Sequence, residues 1–126
     1  MAIDRRPDPN GASYSSSVAV QGERGRWVYV SGVIASGDRL ADQTRGCFGQ
    51  IGEALAGHGG VLADVVRITT YLTSLDGYGD FARIRGETFP GALPASTAVQ
   101  VTGLLRGALI EIDAVAFIHD ETAPVP

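Results

Sequence analysis

Two acidic residues stand among apolar neighbours in the last third of the chain. Glu111 and Asp113 belong to the segment 109–117, which is rich in β-branched and apolar residues and predicts a strand. Alternation gives this strand one wholly apolar face and a mixed face that carries both carboxylates. A carboxylate among apolar side chains is costly to desolvate unless it is paired, hydrogen-bonded or placed at a water-filled cleft. Each carboxylate is therefore either satisfied structurally or placed where it can transfer protons.

The other reactive side chains favour structural roles. Cys47 is the single cysteine, so an internal disulfide is excluded, and its place beside the apolar stripe of a predicted helix indicates a core position. His58 lies in a glycine-rich helix stop, where we expect it to cap the helix and complement the dipole. His119 is the only other histidine, so the chain offers no cluster with zinc-site spacing, and we expect no metal.

Three glycines lie three residues apart inside the predicted first helix. Gly46, Gly49 and Gly52 each cost roughly 1 kcal/mol relative to alanine there, and they share one stripe of the helix. Close approach of a neighbouring backbone is the expected compensation. A phosphate cradle needs its glycines before a helix begins, so these glycines do not predict a cofactor site, and we expect no cofactor.

Size, composition and charge exclude several classes of protein. The 126 residues suffice for a single domain, 1–126, with an ordinary globular share of hydrophobic residues. A net charge of −4 without clustered basic residues argues against nucleic acid as a partner, and we expect Arg83 and Arg85 to be solvated surface charges. No apolar run is long enough to cross a membrane and the polar first ten residues do not resemble a signal peptide, so a cytoplasmic location is expected.

The periodicity predicts the order β-β-α-β-α-β-β. We expect strands at 18–21, 27–31, 65–73, 94–102 and 108–118, and helices at 42–56 and about 75–88. Ser31 and Gly32 should end the second strand, Asp42 should cap the first helix, and Val66 should share a strand face with Ile68. The order is typical of an α+β fold in which two helices cover one face of a mixed sheet. The opposite face is too apolar to remain in water, which favours a homo-oligomer.

A series of short segments, in order, resembles the Rid superfamily of reactive intermediate deaminases, also called the YjgF family. The segments are Tyr14-Ser15, Val28 to Gly32, Leu62 to Thr69, Tyr71 to Thr73, Phe89 to Gly91, Pro94 to Thr97 and Ile110 to Ala116. They run from about residue 14 to 118, which is the expected ordered core. The resemblance implies a chorismate-mutase-like fold and a homotrimer whose sheets form a central barrel, with a ligand cleft at each of three subunit interfaces.

The resemblance also implies which residues line that cleft. Family members place a tyrosine, a serine-glycine pair, an asparagine, an arginine and a glutamate there. The matching positions in this chain are Tyr14, Ser31-Gly32, Ala82, Ser96 and Glu111. In the deaminases, the arginine holds a substrate carboxylate. The glutamate has a positioning or protonating role that allows water to attack an imine carbon. Glu111 is accordingly the predicted catalytic residue, and a structural carboxylate with satisfied hydrogen bonds is the alternative.

Ala82 and Ser96 depart from the family pattern. A serine hydroxyl cannot replace a bidentate, charge-assisted guanidinium contact, so 2-imino acids are expected to bind poorly. Ser96 also has no recognisable histidine or lysine partner that would make it a nucleophile. What remains suits a small neutral or less polar ligand. The predicted substrate-binding residues are Tyr14, Ser31, Gly32, Ser96 and Thr97, with a packed aromatic as the alternative role for the tyrosine.

Functions from two classes follow from these residues. The first is a cofactor-independent hydrolase or deaminase-like trimer that acts on a small reactive nitrogen-containing metabolite, by imine or enamine hydrolysis, deamination or tautomerisation. The second is a trimer that binds a small molecule or a protein without catalysis, because a fold does not by itself imply an activity. Classical 2-imino acid deamination despite Ser96 is a third reading.

Overall fold

The structure, a computed structural model, describes residues 2–121. It contains six strands and two α-helices. They are β1 Ile3–Pro7, β2 Ser15–Gln21, β3 Gly25–Val33, α1 Leu40–Ala56, β4 Val65–Leu72, α2 Tyr78–Thr88, β5 Ala95–Gln100 and β6 Ile110–His119. The tail after Asp120, which its proline content predicts to be frayed, lies from residue 122 onward outside the described residues.

All six strands form one mixed sheet, in the order β1-β2-β3-β6-β4-β5. Strands β4 and β5 run parallel, with α2 in the connection between them, and the other neighbours are antiparallel. Both helices pack on one face of the sheet, which confirms the predicted α+β class. Within residues 2–121, no helix combines the length and the apolar character that a membrane span requires.

The core lies between the helices and the central strand β6. Its alternate residues from Ile110 to Ile118 are all buried, as the sequence predicts. They meet the apolar stripe of α1, and Phe48 of that helix packs edge-to-face on Phe89 beyond α2. Burying one such side chain stabilises the fold by about 1.5–3 kcal/mol. Gln43 ties the two layers together, because its side chain accepts a hydrogen bond from the backbone N–H of Leu109, just before β6.

The first strand was not expected from the sequence, and the ordered part of the chain therefore begins before residue 14. Strand β1 is polar and lacks alternation, but its backbone pairs with β2 at the edge of the sheet, with Ile3 opposite Val20. An edge strand can form through backbone hydrogen bonds without an apolar face of its own. The connection between β1 and β2 contributes to the cavity described below.

Three local predictions are wrong for identifiable reasons. Helix α1 begins at Leu40 with Arg39 as N-cap, and Asp42 lies in its first turn, where a negative charge is also favourable. Strand β4 contains a bulge between Val65 and Arg67, so Val65 rather than Val66 is buried. Strand β3 likewise continues through a bulge instead of ending at residues 31 and 32.

His58 does not cap α1 through its charge, but is buried beneath β1 and β2. Its Nε2 atom lies 2.8 Å from the hydroxyl of Ser17, which is itself buried, and its Nδ1 atom lies 3.6 Å from a carboxylate oxygen of Asp4. The resemblance to a serine-histidine-aspartate triad is superficial, because the serine is only 2% exposed and the aspartate contact is too long for a hydrogen bond. Burial, and then the charge of the nearby Arg6, lowers the pKa of His58, so folding favours the neutral form of the ring.

The buried histidine predicts that acid destabilises the protein. The folded form resists protonation of His58, whereas the unfolded chain takes up a proton near the ordinary pKa of 6.5. The free energy of unfolding should therefore keep its full value above pH 6.5 and fall as the pH drops below 6.5. Urea denaturation between pH 8 and pH 5 measures the slope. His58→Gln should flatten it and His119→Gln should leave it unchanged; equal slopes in all three proteins would contradict the assignment.

Candidate functional site

A cavity of about 600 Å³ opens where β3, α1 and the connection between β1 and β2 meet. It is lined by four of the residues predicted from the sequence, which are Tyr14, Ser31, Gly32 and Glu111. Its further charged lining residues are Asp8, Glu53 and Arg106, which the sequence did not single out. Arg106 has a left-handed backbone (φ 58°), a conformation that is uncommon outside glycine.

A β-bulge in β3 shapes the wall of the cavity. Val30 lies opposite Ala114 and Val33 lies opposite Ile112, so two residues of β3, Ser31 and Gly32, face a single residue of β6. The Ser31 hydroxyl donates a hydrogen bond of 2.7 Å to the backbone carbonyl of Ser15, which fastens the bulge to β2. Bulges often re-aim side chains beside functional sites. Here the bulge brings the backbone of residue 32 against the neighbouring strand.

Gly32 leaves space that the side chain of Glu111 fills. A Cβ atom placed on residue 32 would lie 2.5 Å from the Oε2 atom of Glu111, which is too close for two non-bonded atoms. The carboxylate is therefore held over the glycine backbone at the cavity wall. The family resemblance predicted that both residues line the site. No clear pattern in the sequence predicts the bulge that brings them into contact.

The two carboxylates on the mixed face of β6 have different surroundings. Asp113 accepts a hydrogen bond of 3.2 Å from the Tyr71 hydroxyl. Glu111 is half-buried and receives no hydrogen bond from any donor within residues 2–121. Burial, and secondarily the charge of Asp113, raises the pKa of Glu111. A carboxyl group that holds its proton more firmly and is not engaged by a donor is suited to acid or base catalysis.

Cys47 lies behind this wall in the core, as predicted. Its thiol donates a hydrogen bond of 3.3 Å to the backbone carbonyl of Val33. Burial, and then the charge of Glu111, raises the pKa of the thiol to about 12. The nucleophilic form is the thiolate, so Cys47 contributes packing and not chemistry.

Tyr14 stands at the rim of the cavity rather than in a packed environment. It is 55% exposed, and no hydrogen bond to its hydroxyl forms within the described part of the chain. A buried tyrosine normally finds a partner for its hydroxyl, so this exposure disfavours the packed aromatic considered above. The side chain is free to contact a ligand that enters the cavity.

Ser96 and Thr97 lie away from the cavity, on the edge strand β5. Strand β4 stands between β5 and β6, the strand of Glu111, and neither Ser96 nor Thr97 lines the cavity. The Thr97 hydroxyl accepts a hydrogen bond of 2.7 Å from Arg67. Ser96 instead borders a second depression of about 410 Å³, beside α2 and Ala82. Of the five predicted binding residues, three line the cavity, Ser96 borders the second depression, and Thr97 borders neither.

The second depression contains Arg85, which the sequence predicts to be a solvated surface charge. Arg83 behaves as expected and pairs with Asp80 and Glu87 on the helix surface. Arg85 instead donates hydrogen bonds to the Ser96 hydroxyl (3.0 Å) and to the Tyr78 hydroxyl (3.3 Å). One feature of the sequence could have indicated this environment. Phe81 lies four positions before Arg85, so both side chains share one face of the helix.

Comparison with known proteins identifies the family. A family model described as Endoribonuclease L-PSP matches residues 4–118. The chain belongs to this family. It is 39% identical over 112 residues to Protein DfrA of Myxococcus xanthus, covering 79% of this chain and 82% of that protein. It is 33% identical over 124 residues to a 2-iminobutanoate/2-iminopropanoate deaminase of Rattus norvegicus, covering 92% and 87%.

A solved structure supports the same assignment. Rv2704 of Mycobacterium tuberculosis, described as a member of the YjgF/YER057c/UK114 family, superimposes with a TM-score of 0.82 at 31% identity. The match covers 92% of this chain and 99% of that one. The resemblance to the Rid or YjgF superfamily that the sequence segments indicate is thereby confirmed, as is the fold.

Proposed function

We propose that the protein hydrolyses or tautomerises a small imine or enamine, with Glu111 as the general acid and base. The observation that carries this proposal is the half-buried carboxylate held against Gly32, with no hydrogen-bond donor among residues 2–121, at the wall of a cavity that could hold a small metabolite. Ser31, Gly32 and Tyr14 shape the entrance. The relative named as an iminobutanoate and iminopropanoate deaminase supports imine chemistry within the family.

The proposed reaction needs only water and one proton carrier. Protonated Glu111 donates its proton to the imine nitrogen, and water adds to the carbon of the C=N bond. The resulting carbinolamine loses its nitrogen as ammonia and leaves a carbonyl, so that C=NH and H₂O give C=O and NH₃. A raised pKa keeps part of the Glu111 population protonated at higher pH, which favours the donation step. All ten basic residues are arginines, so the protein has no lysine to form a Schiff base of its own.

The identity of residue 96 argues against simple 2-imino acids as the substrates. The resemblance assigns carboxylate binding in the deaminases to an arginine at this position, and the chain has a serine there. A hydroxyl offers neither the charge nor the two parallel hydrogen bonds of a guanidinium. The substrate class proposed here is therefore a reactive imine or enamine other than the simplest 2-imino acids.

RNA cleavage, which the description of the family model names, is not proposed for this chain. The cavity wall carries three carboxylates and one arginine, and the chain has a net charge of −4. Binding of a phosphate backbone depends on clustered positive charge. The electrostatics of the cavity thus favour a small ligand without phosphate groups.

We further propose that the site is completed between protomers of a homotrimer. Large apolar side chains remain exposed on the sheet face opposite the helices, and Trp27, Tyr29, Val66 and Val99 are each 39–48% exposed. Burying this face against other copies would remove it from water and could bring β5 of one protomer to the Glu111 cavity of another. The number three comes from the family resemblance. Light scattering should give three times the 13.1 kDa of one chain, and a single-chain mass would contradict the composite site.

The catalytic role of Glu111 is tested with Glu111→Gln, which keeps the shape of the side chain and removes the titrating proton. Ammonia release from a panel of small imines and enamines generated in solution, measured above the uncatalysed rate, should fall by roughly 100- to 10,000-fold. Simple 2-imino acids produced by an amino acid oxidase should be poor substrates of the wild-type protein.

Two glycine variants serve as a matched pair in the same assay. Gly32→Ala should also reduce turnover, because the new methyl group displaces the carboxylate, while stability changes little since the side chain of Glu111 can turn away. Gly49→Ala meets no atom within 4 Å in α1, so it should keep full turnover and gain about 1 kcal/mol of stability. Unchanged turnover in Glu111→Gln would refute catalysis by this residue. Absence of turnover in the wild-type protein across the panel would favour the non-catalytic binding trimer.

A further inference from the structure

The guanidinium of Arg85 is fixed in place by two hydroxyls and two aromatic rings. Its two terminal nitrogens donate to Ser96 and Tyr78, as described above. Its central carbon lies 5.1 Å from the centre of the Phe81 ring and 5.7 Å from that of Tyr78. Aromatic faces attract cations at such distances. These contacts hold the side chain in place beside β5, even though it is long and only half of it is buried.

The charge of Arg85 is not neutralised by the protein. No carboxylate within residues 2–121 approaches its guanidinium to within 4.0 Å, whereas Arg83, two residues earlier on the same helix, has two acidic partners. A guanidinium has five N–H donors, and the hydrogen bonds to Ser96 and Tyr78 leave further donors for a ligand. A held but uncompensated guanidinium is the group that proteins use to bind carboxylates in a bidentate manner.

The surrounding walls leave room for such a ligand. The depression beside Arg85 is bordered by small or apolar residues, which are Ala82, Gly86, Leu93 and Pro94. These side chains offer no competing charge. Partial removal of water by apolar walls strengthens a charge-assisted hydrogen bond.

We propose that Arg85 binds the carboxylate of the substrate and that it supplies, from α2, the cation that position 96 lacks. This inference rests on the proposed function, because the depression joins the Glu111 cavity only when a second protomer completes the site. The substrate is then an imine or enamine that carries a carboxylate. Ser96 has a positioning role, since its hydroxyl accepts a hydrogen bond from the guanidinium.

The position of the guanidinium also bears on substrate length. An arginine at residue 96 would carry its charge outward from β5 at the end of a long side chain. The charge of Arg85 lies instead against the hydroxyl of residue 96, close to the strand. A carboxylate bound there is set back from the middle of the cleft, so the substrate must separate its carboxylate from the reacting carbon by more atoms than a 2-imino acid does.

Equilibrium binding of stable oxo acids tests this inference without any turnover. Isothermal titration calorimetry would compare 4-oxobutanoate, its methyl ester and 2-oxobutanoate as probes on the wild-type protein, Arg85→Met and Arg83→Met. Methionine keeps an unbranched stem against the aromatic rings and removes the charge. Arg85→Met should weaken binding of 4-oxobutanoate by roughly 10- to 100-fold, the range for a lost hydrogen bond to a charged group, and leave the ester unaffected. Arg83→Met should change neither.

Each outcome decides the inference independently of Glu111. Arg85→Lys, which keeps the charge, should bind 4-oxobutanoate with intermediate affinity and guards against a folding defect in the methionine variant. Wild-type affinity in Arg85→Met, or equal losses in both arginine variants, would overturn the assignment. Tighter binding of 2-oxobutanoate than of 4-oxobutanoate would overturn the inference that the substrate separates its carboxylate from the reacting carbon by more atoms than a 2-imino acid does. Binding that depends on Arg85 in a protein whose Glu111→Gln variant turns over normally would support this inference and refute the proposed catalysis.

Discussion

The contact between Glu111 and the backbone of Gly32 is the constraint on which the candidate site depends. The bulge in β3 brings residue 32 against β6, and the absence of a side chain there leaves room for one carboxylate. The carboxylate is consequently half-buried, close to a second acidic residue and without a donor among the described residues, and each of the first two conditions raises its pKa. A group in this state is costly for stability and useful for proton transfer.

The rest of the fold supports that arrangement. Strand β6 is central in the sheet and is anchored through its apolar face in the core, so its other face can carry polar groups without loss of the strand. Helix α1 covers the core and also lines the cavity with Gln50 and Glu53. The parallel pairing of β4 with β5 places α2 and Arg85 beside Ser96, near the edge strand β5 and away from the cavity. The two depressions are separate in one protomer, so they form a single site only if copies of the chain meet as proposed.

Regular patterns in the sequence predicted the regular elements of the fold, but they did not predict its irregular features. The alternation from Ile110 to Ile118 and the helical spacing of Phe48 and Ile51 result from burial, which acts on every residue of the element. Strand β1 has no apolar face, and its pairing is made by backbone groups that any sequence shares. Each of the bulges in β3 and β4 shifts the strand register by one residue, and no periodic pattern in the sequence predicts such a shift. Arg85 looked like surface charge because its partner Ser96 is brought to it only by the tertiary fold.

Titration of the Glu111 carboxyl carbon by NMR tests the central claim most directly. The signal can be assigned by its loss in Glu111→Gln. The structure predicts a midpoint above the ordinary pKa of 4.5, because burial and the neighbouring Asp113 both disfavour the charged form. A midpoint at or below 4.5 would show that the carboxylate is solvated or engaged by a donor, and it would contradict the account of Glu111 as a group held ready for proton transfer.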